Sequence, residues 1–314
     1  MKLRIYNIQL LPLDHEKTPD AGETRYLKLF DSLNKEVTKT IKNRRLVTDA
    51  KALVNDSFFA ALNCEQHSNK LIGTKNKYDF VVGRFIKFHQ AGEVEDLYTK
   101  ATLFKAQDGQ SAIANRKEFI YVFDPETHWL AIEEQNGRLP NQKAVEKALS
   151  HYLQPVAEFL FPDYILTVNL VSRTDELNAV LERAVGFTKI DVDITFKNGP
   201  TQNEVLQDMA RNSLHRLRVT ATSERGSHMP KMPETIDGIV RNAAQYGSAS
   251  ITYLEQNDKG GVNVSRYESD SNPETITTRT KGNEDPLGFY GRICLKLKSM
   301  AKSLGHIPAL EDAK

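Results

Sequence analysis

Residues 119–133 read Phe-Ile-Tyr-Val-Phe-Asp-Pro-Glu-Thr-His-Trp-Leu-Ala-Ile-Glu. Two apolar runs, 119–123 and 129–133, flank the polar segment Asp124–His128. Asp and Pro favour tight turns, because Asp bonds to nearby backbone groups and Pro fixes its own φ angle. The stretch therefore predicts an antiparallel hairpin. Further strands are predicted at 79–89 and 97–105, and together with the hairpin they would form an antiparallel meander.

One strand and one helix are predicted before this meander. Residues 3–11 alternate apolar and polar side chains up to Pro12, which is typical of a strand. Residues 23–41 carry apolar side chains at steps of three and four, the period of an amphipathic helix. These apolar residues are Tyr26, Leu27, Phe30, Leu33, Val37 and Ile41. The first part of the chain thus combines one helix with antiparallel strands.

The second part of the chain begins with a helix at 142–161, for which Asn141 is the predicted N-cap. A strand at 164–171, a helix at 173–185 and a strand at 187–196 follow. Because one short helix joins these two strands, we expect them to lie parallel in one sheet through a right-handed crossover. The remaining predicted elements are helices at 202–212, 233–246 and 286–304, a strand at 214–221, and a hairpin of 248–255 with 261–267.

These elements predict an α+β fold. An antiparallel strand meander with helices is followed by a second α+β domain containing a split strand–helix–strand unit. The turn-rich residues 137–141 mark the boundary, so two domains are predicted, 1–138 and 139–314. The closing helix carries an apolar stripe that we expect to pack into the second domain or a dimer partner.

Composition narrows the class of protein. Of 314 residues, 39% are hydrophobic and 26% are charged, as in ordinary globular proteins. The net charge of +1 predicts no overall attraction to a polyanion. Cys64 and Cys294 cannot supply a disulfide framework or a zinc knuckle. No apolar run is long enough to span a membrane, and no signal peptide is recognisable, so we expect a cytoplasmic protein without membrane insertion.

No motif for catalysis or cofactor binding is recognisable. The patterns GxxxxGK[ST], GxGxxG and GxSxG do not occur, and the eight histidines are scattered singly. Asp124, Glu126 and Glu133 could bind a divalent cation, as in a metal-dependent nuclease or toxin, although turn formation is the favoured explanation for the segment that holds the first two. The residues therefore favour a protein that is not an enzyme and holds no metal or cofactor, with the nuclease as an alternative.

Basic residues cluster on three predicted elements. The first helix and its end carry Lys35, Lys39, Lys42, Arg44 and Arg45; a helix end and the next strand carry Arg211, Arg216 and Arg218; the closing helix carries Arg292, Lys296 and Lys302. If the three clusters converge, they form a groove suited to phosphates. If they do not, they are solvated surface, and a helix dipole alone favours cations at its C-terminal end. Few aromatic residues lie nearby, so the backbone of duplex DNA is the predicted target.

The order of elements carries a resemblance. The resemblance is carried by three stretches: the opening Lys2-Leu-Arg-Ile-Tyr-Asn-Ile8, the hairpin at 119–132, and Phe187-Thr-Lys-Ile-Asp-Val-Asp-Ile-Thr-Phe-Lys-Asn-Gly-Pro200. The chain resembles an uncharacterised bacterial family, described only as a domain of unknown function and associated with prophages and anti-phage defence. Its layout is distantly similar to RexA, the DNA-binding phage-exclusion protein of lambdoid prophages. No functional residue can be transferred from either resemblance.

The resemblance implies a cytosolic, dimeric protein that associates with DNA. Combined with the basic clusters, it predicts a non-enzymatic component of bacterial anti-phage defence that binds duplex DNA weakly and without sequence preference. The expected partners are DNA, a second copy of the chain and another protein of the defence system. A protein-interaction module that senses a phage protein is a further alternative.

Overall fold

A computed structural model of the chain describes residues 1–14, 17–70, 77–107, 112–196, 204–212, 214–257, 259–280, 282 and 284–306. Its helices are α1 Glu23–Lys42, α2 Gln142–Leu160, α3 Thr174–Arg183, α4 Glu204–Arg211, α5 Glu234–Tyr246 and α6 Pro286–Ser303. Its strands are β1 Lys2–Pro12, β2 Lys51–Ala52, β3 Ser57–Lys70, β4 Lys77–Gln90, β5 Glu93–Glu95, β6 Thr102–Lys105, β7 Ile113–Asp124, β8 Trp129–Glu133, β9 Tyr164–Leu170, β10 Ala184–Thr195, β11 Arg216–Thr222, β12 Gly247–Gln256, β13 Val262–Glu268 and β14 Thr275–Thr277. The α+β fold predicted from the sequence is confirmed. Residues 202–203, the predicted start of α4, lie outside the described residues.

Strand β1 holds the large sheet together. Every residue of β1 after Lys2 is buried. One edge of β1 pairs with β8, and the other edge pairs first with β14 and then with β9. The full order is β14-β1-β8-β7-β4-β3-β2, with β9 beside β1. Strands from both sides of the predicted boundary at residue 138 therefore meet in one sheet, and the division into two domains stays a prediction.

The hairpin at 119–133 is confirmed. Strands β7 and β8 pair antiparallel, with Phe123 opposite Leu130. At the turn, the Thr127 hydroxyl donates a hydrogen bond of 2.7 Å to Asp124 Oδ2. Alternate side chains of the hairpin enter two different cores, as the two-residue period of a strand requires.

Helices cover both faces of the large sheet. Tyr6 and Phe123 face one core, to which α1 and α2 contribute such residues as Phe30 and Leu149. Ile5 and Trp129 face the opposite core, which α6 covers with Ile293, Leu297 and other side chains. The apolar stripe of α6 is thus buried as expected. It packs on the large sheet, however, rather than within the predicted second domain or against a dimer partner. Helices α1 and α6 consequently lie on opposite faces of one sheet.

The expected parallel pairing of the strands at 164–171 and 187–196 is wrong. Strand β9 pairs antiparallel with β1 in the large sheet. Strand β10 belongs to a separate four-stranded sheet with the order β11-β10-β12-β13, in which every pair is antiparallel. The short helix α3 therefore links two sheets instead of making a crossover within one.

Two features of the first part of the chain differ from the sequence prediction. The fourteen-residue strand β3, which pairs with β4, was not predicted. The single strand expected at 97–105 is instead the end of a small hairpin of β5 and β6. This hairpin exposes Leu97, Tyr98, Leu103 and other apolar side chains to solvent. None of the described helices is both long and apolar enough to cross a membrane.

A buried ion pair fixes α6 against the hairpin turn. Lys298 Nζ lies 2.9 Å from Asp124 Oδ1, and it also contacts the Glu126 carboxylate. The Asp124 side chain is fully buried. Burial alone would lower the pKa of Lys298, but the two carboxylates outweigh it and raise that pKa above its usual range. Two of the three acidic residues proposed as metal ligands, Asp124 and Glu126, are therefore partners of a lysine here.

Replacing Lys298 with Met removes the charge that compensates buried Asp124. We expect Lys298→Met to lower the free energy of unfolding by about 3–5 kcal/mol, the usual cost of an uncompensated buried charge. Urea denaturation measures this change. The double variant Asp124→Asn, Lys298→Met should recover most of the loss, since neither charge remains. A single variant as stable as the wild type would show that the pair does not hold α6 in place.

Candidate nucleic-acid interface

The four-stranded sheet has one apolar face and one polar face. Its apolar face, including Ile190, Val192 and Ile251, packs against α3, α4 and α5. This forms the second core, which is separate from the cores on the two faces of the large sheet. The alternate positions on β10–β13 face the other way and are exposed or half-buried. These outward residues include Lys189, Asp191, Asp193, Thr195, Arg216, Arg218, Thr220, Ser248, Ser250, Thr252, Arg266 and Glu268. The outward face is a platform of hydroxyls and charges, bordered at one end of β12 and β13 by the half-buried Leu254 and the exposed Val264.

Asp193 organises two arginines on this face. Arg216 donates two hydrogen bonds of 2.6 Å to the Asp193 carboxylate, and Arg218 Nε donates a third of 2.7 Å. Partial burial alone would raise the pKa of Asp193, but the two guanidinium groups outweigh it and hold that pKa below its usual range. Both arginine side chains remain more than half exposed, at 58% and 69%. Their other N–H groups are therefore directed along an accessible surface.

Two more cations, Lys189 and Arg266, lie on the same face. Lys189 Nζ is 2.6 Å from Asp191, and the Thr220 hydroxyl donates to the same carboxylate. Arg266, opposite Thr252 in the strand register, lies 2.8 Å from Glu268. The face thus carries four exposed cations that neighbouring carboxylates hold in place.

A groove of about 520 Å³ adjoins this face. Its walls come from α2, from β9 and from the adjoining ends of β10, β11 and β12. Lys143 and Lys147 line it from α2, and His215 and Arg216 line it from the opposite side. At Gly247 an added Cβ would lie 1.9 Å from the Asp193 carbonyl oxygen, so only glycine permits the close approach of β12 and β10 there.

Glu146 is the most perturbed titratable group in this groove. Its carboxylate accepts a hydrogen bond of 2.9 Å from the Leu170 backbone N–H. Burial raises the pKa of Glu146 to about 7, and the Leu170 hydrogen bond offsets only part of that effect. A carboxyl group that titrates near neutral pH in a cleft is a common property of functional sites.

The three predicted basic clusters do not converge. The α1 cluster lies on one face of the large sheet, where Lys35 pairs with Asp31 at 2.6 Å and Arg45 with Asp49 at 3.1 Å. The other cations of that cluster, Lys39, Lys42 and Arg44, are also exposed. The α6 cluster lies across the opposite face, since α6 covers that face. A single groove lined by all three clusters is therefore not formed.

The α6 cluster is largely engaged in local contacts. Arg292 pairs with Glu284 and donates a hydrogen bond of 2.9 Å to the Thr278 hydroxyl. Lys296 donates to the Thr277 carbonyl oxygen at 2.7 Å. Lys302 is half-buried near the helix end. These contacts fasten α6 to β14 and the segment that follows it.

Within the second cluster, Arg216 and Arg218 are brought together, but Arg211 is not part of their arrangement. Arg211 lies at the end of α4, where it donates to Gln207 at 3.3 Å. Sequence reasoning missed Lys143, Lys147, Lys189 and Arg266, which border the same surface. Polar residues at every second position, as in Lys189-Ile-Asp191-Val-Asp193, were the signal that could have revealed an outward strand face.

The described part of the chain contains no group of three or more His, Cys, Asp or Glu side chains that could hold a metal ion. Asp124 and Glu126 contact Lys298, and Glu133 lies on β8 opposite Leu3. The nuclease alternative therefore receives no support from these three residues as they are placed.

The described residues define an α+β protein with two large antiparallel sheets and one small hairpin sheet, and the four-stranded sheet has an open, charged face. The chain belongs to the DUF4747 family, a domain of unknown function, whose profile matches residues 2–288. The match includes both sheets and the start of α6. A search of curated proteins finds no match. The resemblance to an uncharacterised family is thereby confirmed.

Glu146 should make stability depend on pH. Its pKa is raised on folding from 4.5 to about 7, so the folded chain holds a proton that the unfolded chain releases in this interval. The contribution of Glu146 to stability is therefore fully present below pH 4.5 and is lost as the pH rises through about 7. Glu146→Gln should remove this dependence and be more stable than the wild type at pH 8. Urea denaturation at a series of pH values from acid to alkaline measures this dependence. Identical curves of stability against pH for the wild type and the variant would contradict the raised pKa of Glu146.

Proposed function

We propose that the protein binds the phosphate backbone of duplex DNA on the outward face of the β11-β10-β12-β13 sheet. The observation that supports this most is the pattern of exposed cations, Lys189, Arg216, Arg218 and Arg266, interleaved with Ser and Thr hydroxyls on one accessible surface. Arginine, lysine and hydroxyl groups are the usual donors to phosphate oxygens. Lys143 and Lys147 extend this surface along α2.

The carboxylates on this face do not prevent phosphate binding. Exposed ion pairs contribute only about 0–1 kcal/mol, so a phosphate can replace or share a carboxylate partner at small cost. Asp193 and Asp191 also limit the positive charge, which agrees with weak binding. The steepness of the loss of affinity with salt would depend on the number of phosphates that the exposed cations contact. Such contacts read the backbone and carry no sequence preference.

On the outward face, the described residues of β10–β13 expose no aromatic side chain, and this favours a duplex over an extended single strand. Tyr253 and Tyr267, the aromatic residues of β12 and β13, are buried in the second core. The outward residues described above are charged, hydroxylic or aliphatic. Single strands are usually held by aromatic side chains on which bases stack, whereas duplex backbone needs only donors and cations.

A role in bacterial anti-phage defence is the wider part of the proposal. It rests on the sequence resemblance alone, which implies an association with prophages and defence and a distant similarity to RexA; the matched family is described only as a domain of unknown function. On this hypothesis the protein acts in the cytoplasm as a homodimer that binds DNA without cleaving it. A partner from the same defence system would couple binding to a response.

Substitutions on the outward face test DNA binding. Arg218→Ala with Arg266→Ala should weaken binding to a short duplex and reduce the slope of log affinity against log salt by about 1 for each lost phosphate contact. Asp193→Asn should strengthen binding, because it releases Arg216 and Arg218 from a carboxylate. Fluorescence anisotropy of a labelled blunt duplex across a salt series measures both effects.

The α1 cluster provides matched controls. Asp31→Asn releases Lys35 in the same way that Asp193→Asn releases its arginines, and it should leave affinity unchanged. Lys39→Ala with Lys42→Ala removes two cations from a different surface and should also have little effect. Stronger effects from the α1 variants than from the sheet variants would place the interface on α1. No binding at low salt would reject the proposed function.

A further inference from the structure

The open sheet face and the groove beside it form one continuous surface. A second, smaller depression of about 290 Å³ lies over the outward face and includes Asp191, Arg218 and Arg266 in its lining. Lys143, Asp193, Ser248 and Asp270 line both this depression and the larger groove. A backbone that crosses the face would therefore reach the groove without leaving a polar surface.

We propose that the groove between α2, β9 and the second sheet holds a single unpaired nucleotide, with its phosphate toward Lys147 and Arg216 and its base toward β9. The ligand chemistry is a nucleobase, sugar and phosphate unit. The unit can be an unpaired nucleotide at the end of a DNA strand, and in that case this proposal rests on the proposed function. The second source is a free mononucleotide. The groove volume of about 520 Å³ is within the range of small-molecule sites, roughly 300–1,000 Å³.

The phosphate end is assigned from the position of the cations. Lys147 is exposed on α2, and Arg216 on β11 lines the opposite wall. Lys143, one turn before Lys147, is held 3.3 Å from Asp270 at the point where the groove meets the sheet face. Cations on two walls can contact one phosphate from different directions, which a single basic helix face cannot do.

The base end is assigned from the polar groups of β9. The Thr167 hydroxyl is buried and has no hydrogen-bond partner among the described residues. Asn169 Nδ2 donates to the Thr195 hydroxyl at 3.2 Å, and that hydroxyl donates to the Tyr246 carbonyl oxygen at 3.0 Å, so the Asn169 amide is fixed in orientation. A buried polar atom without a partner costs free energy, and a ligand can recover that cost.

Glu146 completes the base end. One carboxylate oxygen accepts from the Leu170 N–H, which fixes the side chain in the groove. Because burial raises the pKa of Glu146 to about 7, the carboxyl group can accept or donate a hydrogen bond near neutral pH. Ile165 and Val168 provide apolar contact beside these polar groups. Ligand sites usually combine apolar walls with a few polar groups. Here the polar groups would contact the edge of the base, and the apolar side chains would pack beside it.

Duplexes that differ by one unpaired nucleotide test this inference. The probes are a blunt duplex, the same duplex with a one-nucleotide 5′-phosphorylated overhang, and a mixture of the four deoxynucleoside monophosphates. We expect the wild type to bind the overhang duplex about tenfold more tightly than the blunt one, the scale of a few additional hydrogen bonds. Thr167→Val and Glu146→Leu, which remove the hydroxyl and the carboxyl group, should reduce the overhang affinity to the blunt value without changing blunt affinity. Thr40→Val on α1 is the matched control for loss of a hydroxyl.

The outcomes separate the two proposals. Equal affinity for blunt and overhang duplexes, or equal weakening of both by the groove variants, overturns the nucleotide site while leaving backbone binding intact. Monophosphate binding by calorimetry that is lost in Thr167→Val, without duplex binding, supports the groove and assigns it to free nucleotides, and it rejects the proposed function. Binding of neither duplex nor monophosphate overturns both.

Discussion

The structure depends on the burial and pairing of strand β1. This single strand receives β8 along one edge and β14 and β9 along the other, so residues from near positions 130, 165 and 275 must all assemble on it. Burial of an edge without such pairing would leave backbone N–H and C=O groups unsatisfied. The C-terminal half of the chain is thereby joined to the N-terminal half, whatever independent stability the second core has.

Because β1 is buried on both faces, each face of the large sheet needs its own covering helices. Helices α1 and α2 serve one face, and α6, fastened by Lys298 to Asp124, serves the other. This arrangement separates two of the basic clusters to opposite sides of the molecule. Within the described part of the chain, the second sheet has no such double cover: α3, α4 and α5 pack on its apolar face, and its charged face is accessible. The proposed interface follows from this asymmetry.

Local patterns predicted the elements better than their partners. The helix at 23–41 and the hairpin at 119–133 depend on periodicity and turn residues, which a sequence displays directly. Strand β3 was missed because its second half, from Cys64 onward, is mostly polar and exposed, so its pattern is weak. The pairing of β9 with β1 could not be predicted, since nothing near residue 164 indicates a partner 150 positions earlier. The cations of the interface come from α2, β10, β11 and β13, and of these only Arg216 and Arg218 belonged to a cluster predicted from the sequence.

The most direct test of DNA binding on the outward face is lysine footprinting with duplex DNA. Lysines are acetylated with an activated ester in the presence and absence of a blunt duplex, and their modification is quantified by mass spectrometry. If the outward face and the adjoining groove bind DNA, Lys143, Lys147 and Lys189 lose reactivity when DNA is bound, while Lys35, Lys39 and Lys302 keep theirs. Protection of the α1 or α6 lysines, with Lys143, Lys147 and Lys189 still reactive, would contradict DNA binding on the outward face.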